Sequence, residues 1–331
     1  MSNSTICIFG EVLIDDFPDG PVIGGAPYNV ARTLAYFGCD PLFISRIGDD
    51  PYGTWIREDM HKFGISDAGL QSDQHYPSGR VGVEIRHEQA AVSHQFHILP
   101  DQAYDHIAST SASQACAQRN ASFAAPPDRD IIYFGTLAQR APASRRALDD
   151  ILKQSSALRY LDLNLRQDQA SLDTILRSIA AADILKINED ELQVLLRLYP
   201  GLTTPEKQQF SAPGIPSIGL LRELLQTCKL QALIVTLGAQ GYLYVDGEGL
   251  ESRGSIASAV DVVDTVGAGD AFSAIVLLGL LRDWPRLLSL QRAQAFATAI
   301  CGVRGAVGDK PFYQVWENAW STTPLAAGNA Q

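Results

Sequence analysis

The chain predicts an α/β fold with a mainly parallel sheet and helices on both faces. Short apolar runs rich in β-branched residues alternate with helical patterns along the chain. Several of those runs are apolar at consecutive positions, as strands covered on both faces are. Polar side chains collect just past the strand ends, where open parallel sheets bind ligands.

The elements follow in order. "TICIFG" is a first strand, and Glu11 follows it too closely for a secretory leader, which would also need a basic start. "APYNVARTLAYFG" is a helix with Val30, Leu34 and Phe37 on one stripe, Pro27 near its start and Gly38 as its stop. "PLFISRIG", "DIIYFG", "LRYLDLN", "ADILKIN" and "ALIVTLG" are further strands. Helices come between them, as in "SRRALDDILKQS", "SLDTILRSIAAAD" and "GLLRELLQTCK". Two stretches break the rhythm: "GEVLIDDFPDG" and "GRVGVEIRHEQAAVSHQFHIL" are polar at every second position, as in a half-exposed antiparallel sheet. They predict a small β-lid, from about 11–24 and 76–100, projecting from one α/β domain that spans 1–331. "YPGLTTPEKQQFSAPGIPSIG" predicts a surface excursion.

Composition narrows the function classes. The 331 residues are 46 % hydrophobic and 19 % charged, ordinary for a soluble globular enzyme. A formal net charge of −11 argues against nucleic-acid binding through a basic surface, yet leaves room for local binding of an anionic cofactor. The five cysteines are scattered without C-x-x-C spacing, so they read as core residues in a reducing compartment. No apolar run approaches the ~20 residues of a membrane span. A cytoplasmic protein is expected. His94 and His97, three apart on a strand, fall on opposite faces and read as exposed lid residues rather than metal ligands.

The residues past the strand ends define a candidate site. "IFGEVLID" leads to Asp15, "YLDLN" to Asn164 and Arg166, "LKIN" to Asn188 and then Glu191, and "VTLGAQG" to Thr236, Gly238 and Gly241. Singly, each has a plain structural reading: Asn188 caps a helix, Glu191 is a solvated first-turn acid, Gly238 makes a turn. "VVDTVGAGDAFSAIVLLGLL" poses a sharper question, because a buried apolar helix is introduced by a bare Gly-Ala-Gly and one carboxylate. A helix start offers unpaired N–H groups and partial positive charge. Gly267 and Gly269 let those amides converge with no Cβ in the way of a phosphate. The amides of Gly267, Ala268 and Gly269 then form an anion hole, and Asp270 beside them can take a proton from an attacking hydroxyl. Asp270 as the N-cap of a core helix accounts for the segment equally well. The P-loop, dinucleotide-fold, nucleophile-elbow and H-E-x-x-H patterns are all absent from the sequence.

The chain resembles the ribokinase-like (PfkB) sugar kinases, and within them the fructokinase-like members. "GEVLID", "GGAPYNVARTLAYFG", "FISRIGDDPYG", "LDLNLR", "KINEDEL", "VTLGAQG" and "DTVGAGDAF" resemble that family's motifs in family order along nearly the whole chain. The resemblance implies a three-layer α/β/α sandwich with a β-sheet lid and an ATP-dependent kinase acting on a primary hydroxyl. D-fructose, giving fructose 6-phosphate, is the favoured acceptor. The alternatives are 2-keto-3-deoxygluconate, ribose or a nucleoside, or a non-catalytic sugar sensor. It also implies roles. Asp15, Gly24, Gly25 and Asn29 would hold sugar hydroxyls, while Asn164 and Arg166 would line the cleft between sugar and phosphates. Lys186, Asn188 and Glu191 would serve the nucleotide, with Glu191 orienting Mg²⁺ mostly through water. Thr236, Gly238 and Gly241 would contact ATP, and Asp270 would be the base. Asp264 matches a position where many members bind a monovalent cation, usually K⁺, beside the anion hole. A homodimer through the lid is expected. Three positions depart from the pattern: Val266 stands where many members carry threonine, Leu163 where proline is usual, and Tyr28 adds bulk beside Asn29.

Overall fold

The computed structural model describes residues 4–88, 91–121, 129–202, 210–212, 215–255 and 261–321. In chain order the elements are β1 (Ser4–Phe9), β2 (Leu13–Phe17), β3 (Gly20–Gly24), α1 (Ala26–Tyr36), β4 (Leu42–Gly48), α2 (Pro51–Lys62), β5 (Leu70–Asp73), β6 (Gly79–Glu88) and β7 (Ala91–Ile98). Next come α3 (Ser109–Ala121), β8 (Arg129–Phe134), α4 (Pro142–Gln154), β9 (Leu158–Asp162), α5 (Leu172–Ala181), β10 (Ile184–Asn188) and α6 (Glu189–Leu198). The last group is β11 (Phe210–Ala212), β12 (Ile215–Pro216), α7 (Ile218–Cys228), β13 (Ala232–Thr236), β14 (Tyr242–Asp246), β15 (Glu251–Gly254), α8 (Ala268–Leu281), α9 (Arg286–Ile300) and α10 (Lys310–Ser321).

Nine strands form the main sheet in the order β15-β14-β13-β10-β9-β8-β1-β4-β5. All its pairings are parallel except β13–β14 and β14–β15, which close one edge as an antiparallel meander. That meander was not expected from the sequence; "YLYVD" is buried at every position and has no alternation to betray it. Side chains of the parallel strands alternate between two cores. Ile6, Ile8, Ile131, Tyr133 and Ile234 face one core with α1, α2, α8 and α9. Phe9, Ile132, Phe134, Leu233 and Val235 face the other with α3 to α7. This double covering is why the strands read as unbroken apolar runs. Helix α8 packs against α1, α9 and β1, which accounts for its burial on nearly every side.

The second sheet, β3-β2-β6-β7, comes from the two stretches with polar alternation. It is not wholly antiparallel: β2 and β6 pair in parallel, since both leave the main body in the same direction. The 199–219 stretch holds the small β11–β12 pair, and its residues 203–209 and 213–214 lie outside the described residues. No helix among the described residues is long and apolar enough to cross a membrane.

Candidate active site

A cleft of about 750 Å³ opens where the parallel strands end. Strand β1 lies between β8 and β4, and the chain crosses from it to β4 on one side and later to β8 on the other, so the cleft lies at a topological switch point. Of the residues singled out above, Asp15, Gly25, Asn29, Asn164, Arg166, Lys186 and Asn188 line it. So do Thr236, Gly238, Gly241 and the run Gly267 to Asp270. Gly24, Glu191 and Asp264 are not among its lining residues.

The head of α8 forms one wall. Its N-cap, Gly267, has φ 79°, and no side chain caps the helix. A Cβ at 267 would lie 2.4 Å from Ala306 Cα, so that glycine is required by close approach, while one at 269 would press to 3.0 Å from Lys186 Nζ. The loop before the helix is stitched in place. Asp264 accepts from the Val266 amide at 2.9 Å and the Gly305 amide at 3.1 Å, while the Val263 and Asp264 amides donate to the Cys301 carbonyl. Both Asp264 oxygens therefore accept from main-chain amides, which gives the residue a part in shaping the loop.

Asp270 sits within the first turn, and its Oδ2 accepts from Asn29 Nδ2 at 2.8 Å. Asn29 is oriented in turn by Arg32, which donates to Asn29 Oδ1 at 2.5 Å and to the Ile23 carbonyl at 3.0 Å. Burial raises the Asp270 carboxyl above the usual aspartate range; the Asn29 bond opposes this, Asp162 adds to it, and Lys186 and Arg166 oppose it again. The acceptor side carries Asp15, whose carboxyl burial pushes up to about 6 against the pull of Arg166 and Arg32. Gly24 lies behind it: a Cβ there would meet Asp15 Oδ2 at 2.2 Å, so this glycine makes room for the carboxylate.

The loop after β9 delivers Arg166. It is pinned by Leu163 N to the Lys186 carbonyl (3.1 Å), Thr136 Oγ1 to the Leu163 carbonyl (2.8 Å) and Leu165 N to Glu191 Oε1 (2.7 Å). Asn164 takes φ 42°, a left-handed conformation that is uncommon outside glycine and that recurs at functional sites. The other Glu191 oxygen accepts from Asn188 N at 2.8 Å, and Asn188 Oδ1 accepts from Glu191 N at 2.9 Å. This reciprocal capping box starts α6. Glu191 is thus buried with both oxygens held by main-chain amides, and Mg²⁺ fits it only through water. Among the described residues there is no cluster of three or more His, Cys, Asp or Glu able to hold a metal ion.

Two residues that the sequence left unassigned belong to the site. Asp162 pairs with Lys186 Nζ at 3.1 Å and 3.2 Å and accepts from Ser273 at 2.8 Å. Burial pulls the Lys186 ammonium down, but Asp162, Glu191 and Asp270 together hold it above its ordinary value. Asp162 stands in the quoted "LDLNLR", and its partnership follows only from the β9–β10 register, which sets Lys186 opposite Asp162. Glu11 also lines the cleft, with its carboxyl pushed up to about 7 by burial. Its position, two residues past the end of β1, is the signal that marks it. On the remaining wall, Gln294, Ala297, Thr298 and Cys301 present one face of α9 and its end.

The fold is α/β with a cleft at the strand ends, and that cleft is lined by the glycine-rich head of α8 and Asp270. Residues 20–312 match the model described as pfkB family carbohydrate kinase, and the chain belongs to that family of ATP-dependent sugar phosphotransferases. It is similar to Fructokinase-1 of Oryza sativa subsp. japonica, 28 % identical over 332 residues, covering 92 % of this chain and 93 % of the relative. An uncharacterized sugar kinase of Pyrococcus horikoshii in complex with ATP superposes with a TM-score of 0.70 at 25 % identity, covering 91 % of this chain and 93 % of that one. A fructokinase from Vibrio cholerae O395, bound to fructose, ADP and calcium ion, shares the fold with a TM-score of 0.73 at 22 % identity, covering 96 % and 99 %.

Proposed function

We propose that this chain transfers the terminal phosphoryl group of ATP to a primary hydroxyl of D-fructose, giving fructose 6-phosphate and ADP. The observation that carries the reading is the head of α8, which has no side-chain cap and whose residues Gly267 to Asp270 line one cleft. Asp270 takes the proton as the hydroxyl oxygen bonds to phosphorus and the bond to the ADP oxygen breaks. Asn29 aims that carboxylate, leaving Oδ1 of Asp270 for the hydroxyl. The amides of Gly267, Ala268 and Gly269 stabilise charge on the moving phosphoryl group, and Arg166 and Lys186 add positive charge from the sheet side.

Asp15, Gly25 and Asn29 hold the sugar, with Gly24 giving Asp15 its space. Asn188, Thr236, Gly238 and Gly241 hold the nucleotide. Mg²⁺ on the nucleotide would neutralise phosphate charge, with Glu191 reached through water, and K⁺ beside the 264–267 loop would rely on main-chain carbonyls. The four-stranded sheet closes over the sugar to exclude water, and two such sheets clasp in a homodimer. A cytoplasmic location belongs to the same reading. The test is ADP release over a sugar panel, with the phosphorylated carbon read by NMR. Fructose 6-phosphate as main product supports the reading, and turnover of other acceptors in preference to fructose refutes it. Light scattering showing only monomer would remove the dimer.

A further inference from the structure

Glu11 is the cleft group that this chemistry leaves unused. It follows the carboxyl end of β1 and lines the cleft with Asp15, Asn29, Arg166 and Asp270. The residue is 4 % exposed, and its Oε2 has no hydrogen-bond partner among the described residues. A buried oxygen left unpaired is costly, and native structures rarely keep one without a reason. Its backbone is held: a Cβ at Gly25 would lie 2.7 Å from the Glu11 carbonyl, so the two segments are in close contact.

The surrounding charge is lopsided. Glu11, Asp15 and Asp270 share the acceptor end with Arg166. Arg32 is committed to Asn29, the Ile23 carbonyl and Asp59. Arg140 is committed to Asp105, Gln169 and the Leu99 carbonyl. A carboxylate on the acceptor would join three acids facing a single available guanidinium. A sugar hydroxyl, by contrast, both donates and accepts, so it can meet Glu11 in either protonation state.

We infer that Glu11 is an acceptor-recognition residue whose Oε2 pairs with a hydroxyl of an uncharged sugar, and that it turns away sugar acids. The inference rests on the sugar-kinase reading above. A competing account is purely structural: the Tyr104 hydroxyl is also buried without a partner and lies close enough to feel the Glu11 charge, so one buried water could join them. That account moves stability and leaves sugar affinity alone.

The experiment compares the full chain with Glu11→Gln and Glu11→Ala. It measures calorimetric binding and steady-state turnover of D-fructose, other neutral sugars and 2-keto-3-deoxygluconate, with melting temperature alongside. The expected result for Glu11→Gln is a Kd and KM for neutral sugars raised about tenfold, with the KM for ATP within about twofold of wild type. The preference for neutral over acidic acceptors should fall by a similar factor, and Glu11→Ala should lose more. Neutral-sugar affinity within about twofold in both variants overturns the inference, whatever the melting temperature does, as does a wild-type preference for the sugar acid. Neutral-sugar binding that depends on Glu11 without any turnover sustains the inference and sinks the kinase reading. Absence of both binding and turnover sinks both.

Discussion

Glu11 should make the protein less stable as pH rises, and the size of the effect can be worked out. Burial lifts its carboxyl from 4.5 to about 7, with Arg166 and Arg140 opposing the shift and Asp270 adding to it. Between those values the folded state holds a proton that the unfolded chain has released, so raising pH favours unfolding. The cost is absent below about pH 4.5 and complete above about pH 7. At 1.36 kcal/mol per pKa unit it amounts to roughly 3 kcal/mol. Glu11→Gln keeps the shape and removes the titration. The variant should therefore gain roughly 3 kcal/mol on wild type between pH 4 and pH 8, several degrees in Tm for a chain of this size. Urea unfolding followed by circular dichroism at half-unit pH steps gives the two curves. Parallel curves would refute the reasoning, because they would mean that Glu11 is not held in a medium that penalises its charge.

Asp270→Asn should lower kcat by roughly 10²- to 10⁴-fold while ATP still binds; single-turnover phosphoryl transfer at the wild-type rate would remove the base assignment. Because burial raises the Asp270 carboxyl, the acid limb of kcat/KM should lie above the ordinary aspartate range, with activity present above that limb and lost as pH falls through it; the Asp270→Asn residual rate should lack the limb. Gly267→Ala must accommodate φ 79° and a Cβ 2.4 Å from Ala306 Cα, so kcat should fall by roughly 10²-fold or more with sugar Kd little changed, read by parallel kinetics and calorimetry. Asp162→Asn strands the Lys186 ammonium, 8 % exposed at its side chain, and should cost roughly 3–5 kcal/mol in urea unfolding, with Lys186→Met restoring part of the loss in the double variant.

How much of this was legible in the sequence depended on whether the controlling geometry was local. The capping box of Asn188 and Glu191 is a three-residue spacing, and the plain reading of Asn188 as a cap is what the structure shows. Glu191 differs from its plain reading: it is buried rather than solvated, because the 163–165 loop folds over it. Asp270 was visible as an acid behind two glycines. Its orientation was not, since Asn29 lies 241 residues away and meets it only when α1 packs on α8. Asp162 and Lys186 meet through strand register, which no local pattern records. Glu11 was hidden by its company: between an apolar strand and the alternating "VLID" it looks like one more outward polar residue.

The bare glycine start of α8 has an energetic logic. Forgoing a side-chain cap costs on the order of 1 kcal/mol, and glycine within a helix costs about as much again. Phe272, Ile275, Leu277 and Leu278 in the same helix are each no more than 2 % exposed. At roughly 1.5–3 kcal/mol for each such side chain, their burial outweighs the missing cap several-fold. Anchoring therefore comes from the body of the helix, and its tip can go without a side-chain cap and keep an acid raised by burial. A polar, amphipathic α8 with the same Gly-Ala-Gly head would lack that reserve, and the first turn would fray. The apolar run and the naked head are two halves of one arrangement, since the tip can be reactive only because the rest is immovable.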